Sequence, residues 1–432
     1  MTNKNIKVGF VGLTHLGLNY LAATSTKNFS VVGFDENYKK INELKSLVID
    51  VKEPGLLESI KKNIKKISFT NNFYKLKYCN VVFISKDTST DKHGNSNFEE
   101  IEKIIYKTIK YVKKNTTIVV LSQVLPGYIR GIKYNKDRLF CQVETLVFGE
   151  ALERSLHPER IVVGLSSITK KISKNYETIL KKFNCPIIKM SYESAELSKI
   201  SINLFLASSI NLTNHLDKIC EKLNLNWDDI KKVLKTDKRI GKNAYLKPGL
   251  GISGGNLERD INNIIKINKK LKLNNNYFKS LISSSNERKK WVWNKFKLIK
   301  KNFNKKINIT ILGLAYKENT NSTKNSPAIE LIKKLKNKNK YSINVYDPRV
   351  EYDFKQKNLK IFKSIPEALE NTDMLFVLTS WGEFKKINNS FLKKFFKGQA
   401  IIDPFKSINY NKLENSKIKY FSLGGKIWKK KI

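Results

Sequence analysis

Cysteine is scarce and scattered: Cys79, Cys141, Cys185 and Cys220 are all that 432 residues contain. Their separations match neither a zinc-binding pattern nor a secreted disulfide framework, so no metal site and no disulfide scaffold is expected. No apolar run approaches the length needed to span a bilayer, and the N-terminus, MTNKNIKVGFVGL, lacks a signal-peptide layout. No membrane partner is expected, and the cytoplasm is the expected location. Acidic residues are also few, 38 against 82 Lys and Arg, for a formal charge of +44. So large a surplus invites a nucleic-acid reading. The lysines, however, are spread along the whole chain instead of gathering into a tail or arm, and Asn and Ile are abundant with them. A chain-wide bias in composition explains that distribution better, and no nucleic-acid partner is expected. Arginine then stands out by its rarity. Arg160, Arg239 and Arg259 fall in loop and site stretches, where bidentate binding of phosphate or carboxylate is one reason to need a guanidinium.

What is present is length for two or three domains with real cores, and 41% hydrophobic residues, which fits a soluble globular protein. Residues 6–11, IKVGFV, read as a buried parallel strand entering the turn GLTHLG, then a helical pattern, then a second strand, FSVVGF, ending at Asp35. Strand, Gly turn, helix, strand and terminal acid form the layout of a dinucleotide-binding unit. Phosphates would sit on the helix N-terminus and the acid would take the ribose hydroxyls. Gly12, Thr14 and Gly17 are the candidate cofactor residues of the turn. Thr14 departs from G-x-G-x-x-G by placing a Cβ where close approach is needed, though its hydroxyl could donate to a phosphate. Asp35 would repel a 2′-phosphate, so NAD is expected over NADP. His15 simply fills the turn in this reading.

Strand-like runs recur at 79–85, 116–122, 158–164 and 186–190, with helical patterns at 98–113 and 169–184. This alternation predicts a doubly wound α/β domain over residues 1–190. Loops at the carboxyl ends of its strands put Asp87, Thr88, Ser122 and Gln123 near the cofactor. From Tyr192 a long helix opens a helical middle domain, 191–300. Glu196, Lys199, Asn203, Ala207, Ile210 and Asn214 form one stripe on it. A structural Glu196–Lys199 salt bridge is the bland reading of that stripe. Helical patterns at 226–236 and 257–300 enclose 239–260, RIGKNAYLKPGLGISGGNLERD, which carries five glycines among Arg239, Tyr245, Lys247, Gly251, Asn256 and Asp260. Such a stretch is either a Gly-rich surface loop or a site for an anionic ligand. After the charged linker 300–306, further strand patterns predict a second, smaller α/β domain at 307–432. It lacks a complete dinucleotide signature, which suits a mononucleotide moiety. The expected fold is therefore α/β, two Rossmann-like doubly wound domains joined by a helical middle domain built on one long helix.

Read together, EPGL (53–56), PERIVVG, AELSKISIN, DKRIG, GLAYKENTNSTKNSP, VYDP and LTSWGEF resemble, in order, the signatures of the UDP-glucose/GDP-mannose dehydrogenase family. The resemblance runs almost end to end. It implies an NAD domain, a middle domain used in homodimerisation and a C-terminal nucleotide-sugar domain. Lys199 falls on the family's helix lysine, Asn203 on its substrate-binding asparagine, and Asp260 on the aspartate that works with the lysine on a water. Arg239, with its reach across a dimer, and Lys247 resemble the loop residues that hold the nucleotide sugar, in the stretch that also contains Tyr245 and Gly251. Lys317 matches a substrate-contacting lysine. Lys324 stands where an arginine near the cofactor is usual. Glu144 matches the glutamate of an NPE-type loop, and the STVP turn reads SQVLPG, keeping Ser122. The pattern G-F-G-G-S-C-F-P-K-D becomes GISGGNLERD, which puts Asn256 at the position of the nucleophilic cysteine. An amide nitrogen cannot take that role.

The resemblance implies NAD-dependent oxidation of the C6 hydroxyl of a nucleotide sugar, UDP-glucose first, toward a polysaccharide precursor, with Lys199, Asp260, Asn256 and Glu144 as catalytic candidates. Oxidation that stops at the aldehyde and a non-catalytic nucleotide-sugar binder remain the alternatives.

Overall fold

The short apolar runs that open the chain are buried on both faces, as parallel strands covered by helices must be. In the computed structural model, residues 6–91, 94–335, 340–351, 356–408 and 418–425 are described. The first five residues of the N-terminus and parts of the 307–432 range lie outside them.

In chain order β1 (Lys7–Val11), α1 (His15–Thr26), β2 (Ser30–Phe34), α2 (Tyr38–Lys45), α3 (Leu56–Lys62), β3 (Ile67–Thr70) and β4 (Val81–Ile84) are followed by a small ribbon, β5 (Ser89–Thr90) with β6 (Ser96–Asn97). Then come α4 (Glu99–Tyr111), β7 (Thr117–Val120), α5 (Tyr128–Gly131), β8 (Leu139–Val143), α6 (Ala151–Leu156), β9 (Ile161–Leu165), α7 (Lys174–Lys181) and β10 (Ile187–Ser191). The main sheet has the order β10-β9-β8-β7-β4-β1-β2-β3. Its ladders are parallel except that of β8 with β9. The order reverses beside β1, so the carboxyl ends of β1 and β4 bound the crevice where ligands of such sheets bind. Strands β3 and β8 are not evident in the sequence. In β8, LFCQV, the polar Gln142 disguises a buried strand; its side-chain oxygen accepts from the Tyr176 hydroxyl at 2.7 Å.

Helix α8 (Tyr192–Leu223) runs 32 residues, with neither glycine nor proline to break it. It ends where Asn224 turns left-handed (φ 57°) and the Leu225 N–H returns to the Cys220 carbonyl at 2.8 Å, the usual way to close a helix. The chain forms two compact units that divide within α8, Met1–Ile202 and Asn203–Ile432. The second continues with α9 (Trp227–Thr236), α10 (Asn256–Lys270), α11 (Asn276–Lys289) and α12 (Trp291–Lys300). A second sheet follows, built from β11 (Ile307–Leu312), β12 (Tyr341–Tyr346), β13 (Leu359–Ile361), β14 (Met374–Val377), β15 (Ala400–Ile402) and β16 (Lys419–Phe421). Helices α13 (Pro327–Leu335), α14 (Ile365–Leu369) and α15 (Asn389–Phe395) lie between these strands in the chain. Its order, β13-β12-β11-β14-β15-β16, is parallel throughout the described residues.

The two sheets echo each other at their first turns. The Gly12 N–H donates to the Phe34 carbonyl at 2.9 Å and the Leu13 N–H to Asp35 at 2.9 Å. Likewise, the Gly313 N–H donates to the Tyr346 carbonyl at 2.8 Å and the Leu314 N–H to Asp347 at 2.6 Å. The second acid, however, also accepts from the N–H groups of Ala315, Arg349 and Val350 and from the Trp381 indole, so its oxygens are filled internally.

Candidate active site

In the first unit, the turn after β1 is shaped by two glycines. Gly12 is left-handed (φ 95°), and a Cβ there would stand 2.8 Å from the Lys86 backbone; a Cβ on Gly17 would fall 2.0 Å from the Gly12 carbonyl oxygen. Both positions exclude any side chain, and the turn brings β1 and β4 ends together. Helix α1 begins with no side-chain cap and no acid in its first turn, so its leading N–H groups face an anion without competition. Thr14 does not aim its hydroxyl at a phosphate; Oγ1 donates to the Ser85 carbonyl at 3.2 Å. Asp35 is fixed by the Leu13 N–H at 2.9 Å and the Asn37 N–H at 3.0 Å, one on each oxygen. A carboxylate so held keeps further lone pairs for ribose hydroxyls. The uncapped α1 terminus and the glycine-cleared turn fit a dinucleotide. Thr88 and Ser122 are tied down beside it, donating to the carbonyls of Gln123 and Lys86, both at 2.6 Å. His15 does more than fill the turn: its Nε2 lies 2.8 Å from Glu53, and its ring stacks on Phe148.

The same unit holds Lys199. Its ammonium lies 3.2 Å from Glu144, both largely buried, and the Leu146 N–H donates to the other Glu144 oxygen at 2.7 Å. The pair lines a narrow crevice with Ser122, Gln123, Cys141 and Glu196. Glu196 is not the partner of Lys199 that the helix stripe suggests. Instead it accepts from the N–H groups of Gly127 at 2.6 Å and Ile129 at 2.8 Å, holding the SQVLPG turn. Burial raises its carboxyl to about 7 against the pull of those two donors. Burial, reinforced by the charge of Glu196, pushes the Cys141 thiol far above its ordinary value, which keeps it protonated.

In the second unit, Asn203 donates to Asp260 at 2.5 Å, and the Arg259 guanidinium lies 3.1 Å from the other oxygen of that wholly buried carboxylate. Asn256 is the first residue of α10 and exposed; Asp260 follows it by four residues, one helical turn. Asn325 fastens the preceding glycines, donating to the Gly254 carbonyl and to Glu258, both at 2.6 Å. Lys324 packs across Gly255, close enough that a Cβ there would meet its Nζ at 2.9 Å. Lys324 thus stands at the N-terminus of α10, beside Asn256. Gly251 serves the backbone: it is left-handed (φ 86°), and a Cβ would strike the Ser285 carbonyl at 2.7 Å. Lys317 is half-buried in the loop after β11. Tyr245 and Lys247 line a cleft of about 560 Å³ with Phe405, Lys406, Asp228 and Lys231. Lys406 lies 2.8 Å from Asp228. Arg239 points to solvent, 89% exposed, and pairs with Asp237 at 2.6 Å. Sequence reasoning misses Asp228, Lys231 and Lys406; the first and last are 178 residues apart, and only the folded unit brings them to one cleft.

A dinucleotide turn at the switch point of a doubly wound sheet, with a lysine–carboxylate pair in the same unit, defines a Rossmann-type dinucleotide-binding protein. Comparison with known proteins narrows the class. Residues 6–184 match the NAD binding domain of the UDP-glucose/GDP-mannose dehydrogenase family, 193–288 its central domain and 310–410 its UDP binding domain. The chain is 30% identical to the UDP-glucose 6-dehydrogenase of Rickettsia typhi over 443 residues, covering 98% of this chain and 100% of that protein. Its fold is shared with a UDP-glucose dehydrogenase from Pyrobaculum islandicum, with a TM-score of 0.84, 20% identity and 99% of each chain covered. It is also shared with a UDP-D-ManNAc dehydrogenase from Pyrococcus horikoshii, with a TM-score of 0.83, 21% identity and coverage of 97% and 99%. The chain belongs to the UDP-glucose/GDP-mannose dehydrogenase family, whose members are NAD-dependent nucleotide-sugar dehydrogenases, and NAD is the cofactor of its N-terminal domain. No helix among the described residues is long and apolar enough to cross a membrane.

Proposed function

We propose that this chain oxidises the C6 hydroxyl of UDP-glucose to the carboxylate of UDP-glucuronate, a polysaccharide precursor, in the cytoplasm and without a cysteine-bound intermediate. The observation that carries this reading is the buried Asn203–Asp260 bond, kept one helical turn from an asparagine that cannot act as nucleophile. When bound, NAD supplies a hydride acceptor for each of two oxidations. In the first, the Lys199 ammonium, oriented by Glu144, stabilises the developing alkoxide, and Asp260 takes the hydroxyl proton through a water. In the second, Asp260, its first proton released through water, draws a proton from water as it adds to the aldehyde, and the resulting gem-diolate loses hydride to give the acid. The Asn256 amide, with the N–H groups that open α10, donates to the hydrate oxygen as charge develops there. Thr88 and Ser122 would support the cofactor from the strand ends of the first unit, and Lys324, at the N-terminus of α10, would lend positive charge to cofactor and hydrate.

Tyr245 and Lys247 support a nucleotide-sugar subsite, with Lys317 on the C-terminal side of the substrate. We read residues 1–190 as the NAD domain, 191–300 as the helical dimerisation domain and 307–432 as the nucleotide-sugar domain. A homodimer is supported by Phe205, Leu212 and Ile219, exposed by 77%, 62% and 40% at seven-residue spacing on α8. It would let Arg239 reach the partner's substrate, and light scattering of Phe205→Lys against the unmodified chain checks it. Oxidation that stops at the aldehyde is the second reading, favoured by Asn256 itself. The test incubates the purified chain with NAD and a panel of UDP- and GDP-sugars and identifies products by mass. Two NADH per UDP-glucose with UDP-glucuronate are expected. One NADH with the aldehyde selects the second reading, and no NADH with any sugar overturns both.

A further inference from the structure

Residues 144–150 connect β8 to α6 and begin with Glu144, the carboxylate that holds Lys199. The far end of this connection is held from elsewhere. Gly149 and Ala151 donate their backbone N–H groups to Glu53 at 3.1 and 2.7 Å. Glu53, in the segment before α3, is 8% exposed. Its third partner is His15 Nε2 at 2.8 Å, and the same imidazole stacks on Phe148 with ring centroids 4.1 Å apart. Burial pushes the Glu53 carboxyl up, but the His15 bond and the two N–H donors outweigh it and hold the group below the usual carboxylate range. His15 is also the first residue of α1, directly after Thr14, so its backbone belongs to the dinucleotide turn. One residue therefore grips the 144–150 connection twice, through Glu53 and through Phe148, from the turn that receives the cofactor phosphates.

We propose that His15 and Glu53 are positioning residues that couple occupancy of the dinucleotide turn to the order of residues 144–150, and so to the placement of Glu144 against Lys199. A ligand on the first turn of α1 fixes the backbone from which the imidazole projects. The imidazole fixes Glu53 and Phe148, and these fix the connection. The kinetic arm of this inference rests on the proposed oxidation; the exchange arm does not.

The test uses the full-length chain and NADH as probe. Backbone hydrogen exchange is followed in the peptide containing Gly149 and Ala151, with the α7 peptide as internal control. In the unmodified chain NADH should slow exchange in the first peptide by about fivefold or more and leave α7 unchanged. His15→Leu and Glu53→Gln should speed exchange there by about tenfold without NADH and abolish the protection at NADH concentrations that saturate each variant. His15→Gln, which keeps a donor toward Glu53, should restore protection. With UDP-glucose and saturating NAD, His15→Leu should lower kcat by about tenfold, and His15→Gln should recover it. Equal protection in His15→Leu and the unmodified chain overturns the coupling. So does faster exchange spread over α7 as well, which would mark general destabilisation. If the unmodified chain binds NADH but oxidises no sugar, the oxidation reading fails while the exchange arm still decides the coupling.

Discussion

Replacing Asp260 by Asn should separate what this residue does for the fold from what it does for the reaction. The carboxylate is wholly buried and accepts from Asn203 at 2.5 Å and Arg259 at 3.1 Å. An amide is nearly isosteric, so no cavity opens. Its oxygen can still accept from a donor, but the buried Arg259 guanidinium loses its charge partner, and breaking a buried pair from one side costs about 3–5 kcal/mol. At about 2–4 °C per kcal/mol for a unit of this size, the melting temperature should fall by about 6–20 °C. The rate is therefore read below the onset of the variant's own melting curve, where unfolding does not lower it. Removing the proton acceptor should lower kcat by about 10²–10⁴, equal to about 3–5 kcal/mol of barrier. NADH production at saturating UDP-glucose, measured beside a melting curve, reads both effects. A kcat within about threefold of the unmodified chain, with the melting temperature lowered as stated, would falsify a catalytic role and leave Asp260 a structural anion.

Asp35→Ala should weaken NAD use and narrow the preference over NADP, because it removes the carboxylate that ends β2; equal turnover of the unmodified chain with both cofactors would contradict this. Burial raises the Glu196 carboxyl to about 7, so the folded chain keeps this proton after the unfolded chain has lost it. Its contribution to stability is therefore greatest at acid pH and declines as pH rises through that interval, by on the order of 2 kcal/mol after allowance for solvent screening. Glu196→Gln should flatten that part of the stability profile between about pH 5 and pH 8, and an unchanged slope in urea melts would remove Glu196 as its source.

The sequence shows what is local and periodic. The strand, turn and acid at 6–35 are legible because the whole motif lies in one stretch whose apolar runs are buried on both faces. The long α8 is legible because its helical pattern runs without a break, and the 239–260 stretch because glycine has few other reasons to cluster so densely. Contacts at long range are not legible. Helix spacing puts Glu196 and Lys199 within reach of each other, but not that the α5 turn offers Glu196 two N–H groups while Glu144 offers Lys199 a carboxylate. His15 and Glu53 are 38 residues apart, and neither is unusual where it stands. Strand β8 is hidden because Gln142 breaks its apolar run, and the partner that makes Gln142 tolerable, Tyr176, comes from α7.

Asn256 raises the question whether another thiol has taken over the missing step, and the physical state of the four cysteines answers it. A thiol becomes nucleophilic when a positive field stabilises its thiolate. Burial raises all four thiols here, Cys79 to about 12. Cys141 alone lines the crevice of Lys199, but it shares that crevice with the Glu196 carboxyl, whose charge raises it further. Cys220 packs with Trp227 and Leu246 in an apolar cluster, and Cys79 packs among core residues of the first sheet. In the proposed reaction, water ordered by Asp260 is therefore the nucleophile of the second oxidation. Alkylation under native conditions should accordingly leave at least about half of the NADH-forming activity. Rapid loss of activity with the label mapped to Cys141, and protection by UDP-glucose, would show that this thiol is reactive and refute the water route. An Asn256→Cys variant gives the converse comparison. Its thiol would sit exposed at the N-terminus of α10 with Lys324 packed across Gly255, whereas burial outweighs any positive neighbour at the native thiols. A sugar thioester should then be trappable on residue 256 in that variant and on no cysteine of the unmodified chain.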